Sequence, residues 1–162
     1  MTFRKSLRAV RGKLRTGERA LSTTRGQEVH AATFMRKRRM VLDGELLDKP
    51  KELRRILIHE LFHLAWARLG NPRRAGFEAV LRREMAERAR GELGWSAEMR
   101  KGRLRKRSGR RWHEYVCESF CDTGAWMYAG VKGHEEFTLK ERFRKRRAAW
   151  FENEVGNGAV RI

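Results

Sequence analysis

Residues 48–72 constrain this chain more than any other stretch. Asp48 is placed to cap a helix, Pro50 falls in its first turn and Gly70-Asn71-Pro72 closes it. Between these marks lie Leu53, Ile56, Leu57, Leu61, Phe62, Leu64, Ala65 and Trp66, an apolar surface too wide for a helix with one wet face. The helix is therefore expected to be buried on most sides. Into it the sequence sets His59, Glu60 and His63. Two imidazoles and a carboxylate in such a place are costly unless something pairs with them.

Their spacing suggests what that partner is. His59 and His63 are one helical turn apart, so both rings stack on one face and reach a common metal ion, while Glu60 projects beside them. H-E-x-x-H on a helix is the pattern of a Zn2+ site whose glutamate acts as general base on a metal-activated water. The competing reading is a pair of core histidines with satisfied hydrogen bonds. A catalytic zinc takes three protein ligands, and position 69, six residues after the second histidine, is Leu. Two downstream residues remain as third ligand, Glu118 and His113. Glu118 is followed one turn later by Asp122, placed to accept a hydrogen bond from a ligand imidazole and fix its tautomer.

H-E-x-x-H followed by a later helix with Glu and, four residues on, Asp resembles the gluzincin metallopeptidases, including thermolysin-like and compact ImmA/IrrE-like members. The matching positions are His59, Glu60, His63, Glu118 and Asp122, within residues 38–128. The resemblance implies zinc-dependent hydrolysis of a peptide or protein substrate. Zinc would be held by His59, His63 and Glu118, and Glu60 would be the base. It also implies an oxyanion-stabilising His or Tyr, for which His134, Tyr128 and Tyr115 are the candidates, His134 first. His113 as third ligand would instead resemble SprT/Spartan-like proteases, which act on DNA-linked proteins.

The remaining sequence sets the frame. At 162 residues the chain fits one domain, expected as a basic N-terminal arm or helix over 1–27, a catalytic core over 28–152 and a frayed tail over 153–162. Val29, Ala31, Thr33 and Met35 alternate, Met40-Val41-Leu42 is a short apolar run, and Asp43-Gly44 is a turn signal. These predict a small antiparallel sheet with the strand around Met40–Leu42 at the cleft edge, and hence an α+β fold. Further helices are expected over 73–90 and 112–129, and from a capping box at Thr138–Glu141 to about Phe151. Residues 99–111 read as an exposed basic loop, and the run 140–147 as a solvated helix face. The five tryptophans are expected mostly as core anchors.

Thirty-nine Lys+Arg against 20 Asp+Glu give a formal charge of +19. A field of that sign attracts nucleic acid, anionic membrane surfaces or acidic polypeptides, which keeps a nucleic-acid-associated protein as an alternative to the peptidase. No apolar run has the length of a membrane span, and the basic N-terminus lacks the apolar stretch of a secretory signal. The two cysteines, Cys117 and Cys121, are no disulfide framework; they read as buried thiols in a cytoplasmic protein.

Overall fold

The computed structural model describes residues 1–156 apart from Gly12 and Thr23. The chain is α+β, as expected, with two three-stranded sheets preceding a bundle of helices. Strand β1 (Thr2–Arg4) runs parallel to β6 (Arg39–Asp43), and β5 (Ala31–Phe34) pairs antiparallel with the other side of β6, Ala31 opposite Leu42 and Phe34 opposite Arg39. The second sheet joins β2 (Leu7–Val10) to β3 (Lys13–Thr16) on one side and to β4 (Gln27–Glu28) on the other, all antiparallel. A short helix, α1 (Glu18–Leu21), lies between β3 and β4.

These strands correct the reading of residues 1–27 as a basic helix or arm. Leu7 and Ala9 alternate with Arg8 and Val10, and Leu14 alternates with Lys13 and Arg15, a period of two rather than 3.6. Leu7 is buried while its basic neighbours stay at the surface. The central position of β6 corrects a second expectation. Met40–Leu42 is covered on both sides, and the edges of the sheet belong to β1 and β5.

One face of the first sheet packs on α2 (Pro50–Arg68) through Met40, Leu42, Leu46 and Ile56. Asp43 rather than Asp48 acts as a cap: its carboxylate accepts from the Glu45 N–H at 3.2 Å and opens a 3-10 turn over Gly44–Asp48. Asp48 is consumed in that turn, so α2 starts at Pro50 without a side-chain cap.

The opposite side of α2 meets α5 (Gly109–Tyr128), with α3 (Asn71–Ala86), α4 (Trp95–Gly102) and α6 (Glu141–Phe151) packed around it. Phe77, Leu81, Trp112, Phe120 and Phe151 form the main core. At Gly124 a Cβ would lie 2.4 Å from the Phe62 ring, so glycine lets α2 and α5 approach.

Three further expectations are revised here. Half of the supposed loop 99–111 is helix, because Ala97 anchors α4 in the core. Thr138 does not cap α6: its hydroxyl accepts from the Glu92 N–H at 3.0 Å, and Lys140 precedes the helix without a side-chain cap. The chain after Phe151 continues as a π turn with Val155 buried, while 157–162 lie outside the described residues. Trp112 is a core anchor, whereas Trp95 is half-exposed. Among the described residues, no helix is long and apolar enough to cross a membrane.

The run 140–147 is not uniformly solvated either. Arg147 is fully buried and reaches Glu84 of α3 at 2.6 Å, Glu92 at 2.8 Å and the Ser119 hydroxyl of α5 at 2.8 Å. Lys101 of α4 meets Glu92 at 2.9 Å, and the Tyr115 hydroxyl donates to the same carboxylate at 2.6 Å. Two cations and two carboxylates thus neutralise one another in the interior. Breaking one side of such a pair leaves an uncompensated buried charge, which costs about 3–5 kcal/mol. Arg147→Leu is expected to lose stability on that scale in urea denaturation, against less than about 0.5 kcal/mol for the exposed neighbour Lys145→Leu.

Candidate metal centre

Helix α2 places His59 and His63 side by side, ring centroids 4.9 Å apart. Helix α5 brings Glu118 against both: its Oε2 lies 3.4 Å from His59 Nε2 and 4.0 Å from His63 Nε2. Donors about 2.0–2.1 Å from a tetrahedral zinc stand roughly 3.4 Å apart. Glu118 Oε2 therefore stands near that spacing from His59 Nε2 and about 0.6 Å beyond it from His63 Nε2. The other Glu118 oxygen, Oε1, is held at 3.0 Å by Arg100 of α4.

Asp122 does what its spacing implied. Its Oδ1 accepts from His59 Nδ1–H at 2.7 Å, and its Oδ2 accepts from the Ala97 N–H at 3.1 Å. The first contact holds a proton on Nδ1 and leaves Nε2 as the ring nitrogen that faces Glu118. Gly94 is required beside it, because a Cβ there would sit 2.3 Å from the Asp122 carboxylate carbon.

His63 is supported differently. Its Nδ1 lies 3.3 Å from Cys121 Sγ and 3.6 Å from Cys117 Sγ. His59, His63 and Cys121 consequently form a second possible donor set. Protonation chooses between the two. Burial and the Cys117 sulfur push the Cys121 thiol well above its ordinary range, so it keeps its proton. Burial alone would raise Glu118 as well, but the hydrogen bond with His59 and the charges of His59, His63 and Arg100 hold it at about 2. The ionised carboxylate is the ready ligand.

Glu60 is buried on the wall of a cleft of about 440 Å3, next to His59, and forms no hydrogen bond or ion pair with another described residue. The far wall is the segment from Gln27 to Ala31 leading into the β5 edge, with Trp95 and Ser96 at one end. Arg55 and Glu136 close another side. Arg55 binds Glu52 through Nε at 3.0 Å and Glu136 through both remaining nitrogens at 3.0 and 3.1 Å. Glu52, His134 and Glu136 also cluster as metal-binding groups do, yet the guanidinium already supplies their cation.

The other predicted site residues are elsewhere. His113 is exposed on the side of α5 facing Glu78, and cannot serve as third ligand. His134 is turned to Glu52 at 3.1 Å and does not line the cleft. Tyr128 is half-exposed and stacked on Phe62, and Tyr115 is spent on Glu92. Sequence reasoning missed His30, an exposed imidazole on the cleft wall, and Arg100. Neither has a motif spacing, although Arg100 shares with Ala97 the first turns of a recognisable amphipathic helix.

The chain was compared with protein-family models, with curated proteins and with solved structures. Nothing matches.

The geometry of the site has a pH signature in the metal-free protein. Burial would depress His59, but the charge and hydrogen bond of Asp122 raise it well above 6.5. Its contribution to stability is complete below pH 6.5 and is lost as pH rises through the folded value. Glu118 sits below its ordinary 4.5, so its contribution is present above pH 4.5 and lost as pH falls toward about 2. Urea titrations of metal-free protein at a series of pH values are expected to show both limbs. The alkaline limb should flatten in Asp122→Asn, and the acid limb in Glu118→Gln.

Proposed function

We propose that the protein is a zinc-dependent peptidase of gluzincin type, working in a reducing, cytoplasmic compartment. The observation that supports this reading best is the approach of Glu118 Oε2 to Nε2 of both His59 and His63, with Asp122 behind His59. The compartment follows from two free thiols beside the site.

In this reading His59, His63 and Glu118 hold the zinc. Zinc, when bound, acts as a Lewis acid and brings the pKa of water down to about 7. Glu60 takes the proton from the attacking water and later delivers it to the leaving amine. Its freedom from any ion pair suits a group that must both accept and give a proton. Asp122 keeps His59 in the tautomer that presents Nε2, and Arg100 holds Glu118 in register. The substrate chain lies along the free edge of β5, adding as an extra strand by main-chain hydrogen bonds. His30 takes the place expected of His134 as donor to the oxyanion.

Glu60→Gln is expected to retain one zinc per chain, by elemental analysis, while hydrolysis of an unstructured protein substrate falls about 10²–10⁴-fold. Glu118→Ala is expected to lose the metal, and Asp122→Asn to weaken zinc binding about 10–100-fold in competition with a chromophoric chelator. His113→Ala should bind zinc normally. Full zinc occupancy in Glu118→Ala, or full turnover in Glu60→Gln, would overturn the assignment.

A further inference from the structure

Gln27 lines both the cleft at the candidate metal centre and a second depression of about 710 Å3. Its walls include Arg100, Arg103, Arg105 and Arg111, with Met99 and Leu104 between them. Arg100 is committed to Glu118 at 3.0 Å and to the Ser96 carbonyl at 3.2 Å. Glu114 also lines the depression, but Arg110 claims it at 2.7 Å. Arg103, Arg105 and Arg111 are exposed and form no ion pair with any described residue. Three unneutralised guanidinium groups therefore face one concavity that shares Gln27 with the cleft.

We propose that this depression selects the substrate: it receives an acidic stretch of the polypeptide whose neighbouring peptide bond lies over the metal centre. The ligand chemistry is an anionic side chain, carboxylate or phosphate, read by guanidinium forks that match either group in bidentate fashion. The proposal rests on the peptidase reading and names its substrate class.

Two observations favour a polypeptide over a nucleic acid here. The depression shares Gln27 with the cleft wall along which an extended chain would lie, so one strand passing Gln27 would engage both. Its lining holds no aromatic side chain, only Met99 and Leu104 among apolar residues. Single-stranded nucleic acid sites combine a basic groove with aromatic platforms for the bases, and the platform is missing.

Position also separates this site from the general field of a +19 chain. A field would favour acidic residues on either side of the scissile bond. A depression at one end of the cleft favours them on one side only.

The test uses zinc-loaded full-length protein and one fluorogenic core peptide carrying four Glu, four phosphoserine or four Gln residues, placed before or after the core. The expected result is a kcat/KM advantage of at least tenfold for Glu over Gln on one side and less than about threefold on the other. Arg103→Glu/Arg105→Glu should collapse that ratio, whereas Arg142→Glu/Lys145→Glu, with the same change in charge on exposed α6, should leave it. A phosphoserine advantage larger than that of Glu identifies phosphate as the preferred anion and equally supports the site.

An advantage on both sides, or one that survives in the Arg103/Arg105 variant, overturns the proposal. Binding separates its failure from that of the peptidase reading. Glu60→Gln protein should bind a labelled Glu-tailed peptide at least tenfold more tightly than the Gln-tailed one, by fluorescence anisotropy, even where no peptide is cleaved. Tighter binding of a single-stranded oligonucleotide of equal charge, lost in the same Arg103/Arg105 variant, would overturn it in favour of nucleic acid.

Discussion

One buried guanidinium fixes the helix on which the site depends. Arg147 of α6 is sealed between Glu84 of α3 and Glu92, and it also donates to Ser119 of α5. Ser119 and Thr123 face this cluster while Glu118 and Asp122, each one residue earlier, face α2. A helix so constrained cannot roll without breaking charge-assisted hydrogen bonds in a medium of low dielectric. The same lattice anchors α4 through Lys101, and α4 delivers both the Ala97 N–H and Arg100 to the site. The chemistry of two carboxylates on one face of α5 thus rests on polar contacts made by its other face.

Acidic residues are the scarce component of this chain, and their placement is economical. Glu84, Glu92, Glu60 and Asp122 are buried, and Glu118 nearly so. Many arginines, by contrast, lie at the surface with no carboxylate to meet. Among the described residues five carboxylates are buried against two arginines, so the interior is net negative and the exterior more positive than the formal +19. That distribution leaves the arginines around Gln27 open to an outside anion.

Much of the site was legible in the sequence because its signals are local. Pro50 and Gly70 bracket α2, four residues separate its histidines, and four separate Glu118 from Asp122. Strand β5 was visible from alternation and β6 from its short apolar run. The rest depends on contacts distant in sequence. Met40–Leu42 looked like an edge because its second partner, β1, lies nearly forty residues away and runs parallel. Arg147 looked solvated because its neighbours in the run are, and nothing local marks the one arginine that turns inward. The N-terminal strands were hidden by basic residues that hold the outer face of a sheet as readily as that of a helix. The oxyanion candidates failed for a similar reason: His134, Tyr128 and Tyr115 have plausible positions along the chain but are engaged by Glu52, Phe62 and Glu92.

The ties on Glu118 and His59 carry one more implication. Arg100 grips the carboxylate and Asp122 orients the imidazole, so both side chains are held by contacts within the protein. Small zinc-binding domains commonly unfold when stripped, because the metal is what organises them. Under the proposed function, contacts of this kind would let the fold outlast removal of its ion, so that stripping and restoring zinc would act as a reversible switch.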